Sequence, residues 1–328
     1  MTSSNKIYNI QILRAIAAIN VVIFHCIGAA ESYDFLIPFS QMFKGWGRNG
    51  VDLFFVISGF IMVYTGQNSR SSRLQFFIKR IFRIVPVYWA LTFLFVAILL
   101  LMPSILRSAS FDIGKTISSL FFVSGPFYES PVLYVGWTLE FEFLFYAFFA
   151  LSMFVKNLRL SQALLILAVF STPLLLPQID KIMFEFAYGM IVAILVMAVR
   201  IPASISWACL LIGIALMCAT IGNTDVAKAG RAFYWGLPSA LIIAGAINIK
   251  QIQNKVLLYI GDASYSIYLV QVFTIPIIFK ILDKILPARF GEMGILICIL
   301  ATIIAGAISY QLIERTSYKW LLNKLTKA

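Results

Sequence analysis

One histidine occurs in the 328 residues, His25, and it stands in an apolar run eleven positions after Arg14. Eleven helical steps of about 100° pass three full turns by roughly 20°, so the two side chains share a face and sit about 16 Å apart along the axis. Arginine in hydrocarbon is expensive even on lenient scales, so this face must look into protein or water. One reading is structural: an arginine bonded to carbonyls and a histidine in a polar bundle core. The other is chemical: a cation and a base aligned along one internal path.

Carboxylates accompany them. Asp52, Glu140, Glu142, Glu185 and Asp262 lie in or at the edges of apolar runs, where helices that merely pack need Gly, Ser and Thr. Asp52 opens a run after Gly50 and is either a first-turn acid held by the helix dipole or part of a site. Asp262 reads as a helix-start residue. Glu140 and Glu142 are two positions apart, about 200° on a helix, so they cannot face the same cavity. Thr138, Glu142, Phe145 and Tyr146 share one face. Spacing alone does not say which carboxylate serves a site; a buried one can orient a histidine and stabilise its protonated form, or form a purely structural ion pair. A basic segment follows the second apolar run: Arg70, Arg73, then Lys79, Arg80 and Arg83 among Phe and Ile. It reads as an amphipathic turn at the cytoplasmic surface, either a positive-inside anchor or an anion clamp, since guanidinium forks suit phosphates.

The elements that position these residues are membrane helices. Hydrophobic residues make up 61% of the chain and charged ones 12%, against roughly 45–50% and 25% in soluble domains. Apolar runs near 8–28, 48–66, 85–102, 134–155, 160–176, 183–199, 204–221, 232–247, 257–279 and 293–313 predict an all-α polytopic protein, a single bundle of about ten transmembrane helices over residues 1–328, with no appended soluble domain. Loop charge alternates: the 67–84 segment carries five basic residues and no acidic one, and every second loop repeats an excess of Lys and Arg. Both termini are therefore expected in the cytoplasm. The net charge of +12 reflects this juxtamembrane bias, which attracts anionic lipid or anionic substrates and does not call for nucleic acid. The four cysteines, Cys26, Cys209, Cys218 and Cys298, sit in apolar runs without metal-ligand spacing and read as core filler. No metal site is implied.

In order, these pieces resemble the integral-membrane acyltransferase-3 family, which includes exopolysaccharide, O-antigen and nodulation-factor O-acetylases. Arg14 and His25 match its first-helix signature of a basic residue, ten positions and a histidine. Gly50-Val51-Asp52-Leu53-Phe54-Phe55-Val56-Ile57-Ser58-Gly59-Phe60 is similar to its second-helix signature. Arg80-x-x-Arg83-x-x-Pro86 resembles its arginine loop, and Trp137-Thr138-Leu139-x-x-Glu142-x-x-Phe145-Tyr146 its tryptophan-to-glutamate motif. That last match favours Glu142 over Glu140 for the site. Where a ninth-helix segment of the family often ends in histidine, this chain has Gln271.

The resemblance implies an O-acyltransferase of the bacterial cytoplasmic membrane, with acetyl-coenzyme A or another acyl-coenzyme A as donor substrate and a carbohydrate as acceptor. On that basis Lys79, Arg80 and Arg83 are expected to bind the donor phosphates, with Arg14 further in. His25 is the expected catalytic base or nucleophile, with Glu142 orienting it or stabilising its cation. Asp52, Ser58, Trp137 and Tyr146 are expected to shape the acceptor end. The rival is a transporter or flippase for a lipid-linked sugar, its membrane charges lining a path. Neither an inverted repeat nor a matched pair of broken helices supports it.

Overall fold

The computed structural model describes residues 7–66, 73–102, 111–125, 127–128, 130–223 and 225–325. Among them every regular element is helical, as an apolar solvent demands: in hydrocarbon each backbone N–H and C=O must be bonded within the protein, and a helix does this inside one segment. The order is α1 (Tyr8–Ser32), α2 (Asn49–Gly66), α3 (Arg73–Leu101), α4 (Ile113–Leu120), α5 (Trp137–Ser152), α6 (Leu158–Leu175), α7 (Phe184–Ala198), α8 (Ala203–Cys218), α9 (Val226–Arg231), α10 (Leu237–Asn248), α11 (Lys255–Asp262), α12 (Ser264–Ile285), α13 (Gly291–Ser309) and α14 (Arg315–Leu325). Among the described residues seven stretches are long and apolar enough to cross a membrane: Tyr8–Ser32, Ile78–Leu101, Tyr134–Ser152, Leu158–Leu175, Lys181–Ala198, Ser264–Ile285 and Ala288–Lys324. Two more, Ala203–Cys218 and Ala232–Asn248, are apolar but shorter. The protein is a multi-pass membrane protein.

Helix α1 occupies the middle of the bundle, against α2, α11, α12 and α13, while α2 lies along α7, α8 along α10 and α12 along α13. The α2–α7 crossing is drawn tight by two glycines facing opposite partners. A Cβ at Gly59 would strike the Phe186 carbonyl, and one at Gly189 the Val56 carbonyl. Small residues allow this approach of backbones, which is how helices gain packing where lipid provides no hydrophobic drive. Polar caps set several starts: Asp112 accepts from Lys115 N–H, Asn157 from Leu160 N–H, and Asn254 from Val256 and Leu257 N–H.

Each apolar run read from the sequence falls on a helix, but two boundaries differ in ways that matter. Helix α3 begins at Arg73, not near residue 85, and continues through Pro86. The expected arginine loop is thus the first half of a helix. Hydropathy missed it because Lys79, Arg80 and Arg83 dilute the apolar signal. Pro86 takes away the N–H that would bond the Phe82 carbonyl, a loss tolerated within membrane helices; two residues after Phe82, the Tyr265 hydroxyl ties this part of α3 to α12 by donating to the Ile84 carbonyl at 2.8 Å. Arg70 lies outside the described residues. The ninth run breaks at Ala263 into α11 and α12, so Asp262 ends a helix rather than starting one. Two wide π turns, Ala232–Gly236 and Tyr310–Glu314, interrupt the last third of the chain; such turns often mark functional positions. All four cysteines are free, with Cys26 and Cys298 buried.

Candidate functional site

Two cavities lie along the face of α1 that carries Arg14 and His25. The first, of about 90 Å³, is lined by Arg14 from α1, Ser58 from α2, Arg80 and Arg83 from α3, Glu142 and Tyr146 from α5, and Tyr265 from α12. The second, of about 500 Å³, is lined by His25, Arg48, Tyr134, Trp137, Asp180 and Arg231. Val51 and Tyr268 line both and form the partition between them. Tyr268 is fixed there by its hydroxyl, which donates to the Val135 carbonyl at 2.8 Å and shares a 3.0 Å hydrogen bond with Thr138 Oγ1.

The arginine cavity is built around Glu142. Its carboxylate accepts from the Ser58 hydroxyl at 3.2 Å and, closer still, from the Tyr146 hydroxyl. Arg80 lies over the Tyr146 ring, 5.9 Å from its centre. Arg14 donates from Nη2 to Ser264 Oγ at 3.1 Å. Glu142 and Glu314 are the carboxylates whose charges act on both Arg14 and Arg83. Glu314, buried in the π turn after α13, is itself held by the Ser266 hydroxyl at 2.7 Å. Arg83 makes no direct hydrogen bond or ion pair among the described residues, so its guanidinium keeps its donors for whatever enters. Lys79, half-buried, lines neither cavity.

The histidine cavity has a different character. His25 packs between Phe24, at 4.7 Å between ring centres, and the edge of Tyr134, at 5.2 Å. Neither ring nitrogen has a hydrogen-bond partner among the described residues. The charge that acts on the imidazole is that of Arg48, and no carboxylate among the described residues does so. Across the cavity Asp52, fully buried in the first turn of α2, holds Arg231 with two bonds, Nε to Oδ1 at 3.0 Å and Nη2 to Oδ2 at 2.7 Å. Arg231 also lies against Trp137 and Trp235, 5.9 and 5.6 Å from the ring centres. Glu185 from α7 faces Asp52, its two oxygens buried without a hydrogen-bond donor.

These positions change several expectations. Glu142 and His25 line different cavities, so Glu142 does not orient the imidazole; the motif spacing carried no information on how α5 docks against α1. Ser58 and Tyr146 line the arginine cavity with Glu142, while Trp137 lines the histidine cavity. Asp52 does lie in the first turn of α2, and both its oxygens also bind Arg231. Glu140 faces away from the cavities and accepts the backbone N–H groups of Ser124 and Gly125, each at 2.9 Å. Gln271 is buried, donates to the Tyr268 carbonyl at 2.8 Å and lines neither cavity. Sequence reasoning passed over Arg48, Arg231 and Glu314, counting them only as loop or tail charge. The one available signal was Arg231 standing directly before the apolar Ala232-Phe233-Tyr234-Trp235.

Comparison with known proteins identifies the chain. A family model described as an acyltransferase domain matches residues 7–312. The chain is 35% identical over 260 residues to the exopolysaccharide production protein ExoZ of Rhizobium meliloti (strain 1021), covering 71% of this chain and 78% of that one. No solved structure matches it. A cation-lined cavity meeting a histidine cavity at a shared wall suits transfer of a group between two substrates better than passage of one, and the chain belongs to the acyltransferase-3 family of membrane acyltransferases.

Proposed function

We propose that the protein transfers an acyl group, acetyl in the first instance, from acyl-coenzyme A to a sugar hydroxyl of an exopolysaccharide or its lipid-linked precursor. The observation that carries this reading is the pair of cavities joined at Val51 and Tyr268, arginines on one side and His25 on the other. The excess of Lys and Arg in alternate loops supports an arginine cavity turned towards the cytoplasm, where acyl-coenzyme A is made, with both chain termini on that side of the bacterial cytoplasmic membrane. A cavity of about 90 Å³ is too small for a nucleotide. The phosphates therefore rest at its mouth on Arg80 and Arg83, and the pantetheine arm threads inwards past Arg14, along a path comparable to its own length. Glu142 holds the arginines and Ser58 in place around that arm.

The acceptor occupies the larger cavity, with Trp137 and Tyr134 as apolar faces for a sugar ring. Its hydroxyl oxygen bonds to the thioester carbonyl carbon, the C–S bond breaks, and the hydroxyl proton passes through His25 to the departing thiolate. In the alternative order His25 attacks first, and the sugar hydroxyl then takes the acyl group from the imidazole. Both orders need a neutral imidazole with an open ring nitrogen. The test is incubation of the purified protein in lipid nanodiscs with labelled acetyl-coenzyme A and exopolysaccharide repeat units. Label should appear on the glycan as an alkali-labile ester. Turnover of donor with no labelled glycan across a panel of envelope carbohydrates would overturn the carbohydrate reading.

A further inference from the structure

Arg48 stands on the wall of the histidine cavity, and no carboxylate among the described residues answers its charge. Its guanidinium lies 4.7 Å from the centre of the Phe24 ring, and it makes no ion pair among the described residues. Burial, and then the neighbouring cation Arg231, hold it below the usual arginine value. Arg231 is committed to Asp52 through Nε and Nη2, and Nη2 also reaches the Arg48 carbonyl at 3.5 Å; Nη1 has no hydrogen-bond partner among the described residues. Asp180, also on this wall, accepts from the Ile182 N–H at 2.9 Å. Its charge acts on Arg231 and Glu185, not on Arg48 or His25.

The imidazole that must take up a proton is therefore acted on by a cation and, among the described residues, by no anion, Asp180 on the same wall included. In catalytic triads a carboxylate of the protein steadies the imidazolium, and none among the described residues does so for His25. Resting on the proposed carbohydrate acceptor, we propose that the acceptor itself carries the missing anion: a carboxylate or phosphate that seats between Arg48 and the free Nη1 of Arg231. There it neutralises Arg48, gains the charge-assisted bonds that guanidinium forks make with such groups, and stabilises the proton on His25. The cavity of about 500 Å³ has the size of small-molecule pockets. An acidic sugar residue and the diphosphate of a lipid carrier offer the same chemistry.

Direct binding to the full chain in nanodiscs tests this without relying on turnover. The probes are a glucuronate-terminated oligosaccharide, its methyl ester, a short prenyl diphosphate and the matching prenyl alcohol. At least one anion should bind about tenfold or more tightly than its neutral counterpart. Arg48→Gln should erase that difference and Arg48→Lys retain part of it. Preference for the glucuronate identifies an acidic sugar, and preference for the diphosphate identifies the lipid carrier. Equal binding of charged and neutral probes by the wild-type protein overturns the inference, whatever the variants do, and leaves the acyltransfer reading standing. Arg48-dependent anion binding by a protein that acylates no carbohydrate keeps the anion site and overturns that reading instead.

Discussion

Arg231 and Asp52, 179 positions apart in the chain, meet in a two-point ion pair of 3.0 and 2.7 Å that ties the end of α9 to the start of α2. The side chain of Asp52 is inaccessible and that of Arg231 is 13% exposed, so removing one partner strands the other. Arg231→Gln should destabilise the protein by about 3–5 kcal/mol, because Asp52 then lies buried beside Glu185 with nothing to balance it. The double variant Asp52→Asn with Arg231→Gln should recover much of that loss. Thermal unfolding in detergent, read against activity at matched amounts of folded protein, checks this. A double variant no more stable than Arg231→Gln would show that the pair is not what holds these segments.

His25→Ala should lower acyl transfer by about 10²–10⁴ with little change in unfolding temperature, since no hydrogen bond to the imidazole is lost. The working form is the neutral ring, so transfer by the wild type should fall as pH drops through the imidazole's titration. Labelled donor mixed with protein alone separates the two chemistries. Label trapped on wild-type protein but not on His25→Ala marks the nucleophile; none on either marks the base. Full activity in His25→Ala would remove the residue from the reaction.

Arg83→Gln should weaken the donor by about ten- to hundredfold, the usual cost of one charge-assisted contact, while acceptor affinity is unchanged. Glu142→Gln should act on the same side, raising donor KM, because Glu142 sits among the arginines and not beside His25. Steady-state kinetics with each substrate varied in turn distinguishes the two ends. A Glu142→Gln variant altered only in acceptor KM would place α5 differently in the working enzyme.

Glu140→Gln should retain turnover and lose stability, since its carboxylate accepts the Ser124 and Gly125 N–H groups at 2.9 Å each. Unfolding should come several degrees earlier, with kcat near wild type. A stable but inactive Glu140→Gln would reverse the roles of the two glutamates.

Tyr268→Ala should breach the partition between the cavities and let water reach the donor thioester. The measurement is release of free coenzyme A without any glycan, expected to rise several-fold over wild type. Tyr268→Phe, which keeps the ring and loses only the bonds to Val135 and Thr138, should leak less than Tyr268→Ala. Unchanged hydrolysis in Tyr268→Ala would mean that other residues separate the two substrates.

Much of the architecture was legible because lipid imposes it locally. A segment that must satisfy its backbone within itself, in an apolar medium, announces its helix through composition alone. Helix α1 announced more: the eleven-residue interval between Arg14 and His25 is nearly whole turns, so their shared face follows from helical geometry wherever the helix packs. The opposed faces of Glu140 and Glu142 followed the same rule. The sequence could not reveal that α3 starts at Arg73, because hydropathy reads a basic, inward-facing helix end as a loop.

What only the tertiary structure decided is which charge meets which. Asp52 could pair with Arg231, Glu142 with Ser58 and the arginines, and Glu314 with Ser266 only after helices far apart in the chain had docked, and docking depends on side-chain packing that no local spacing encodes. For the same reason the sequence named His25 and Glu142 but not the wall between them. Helical periodicity determines the direction a side chain leaves its own helix, while the partner waiting there is set by the helix packed opposite.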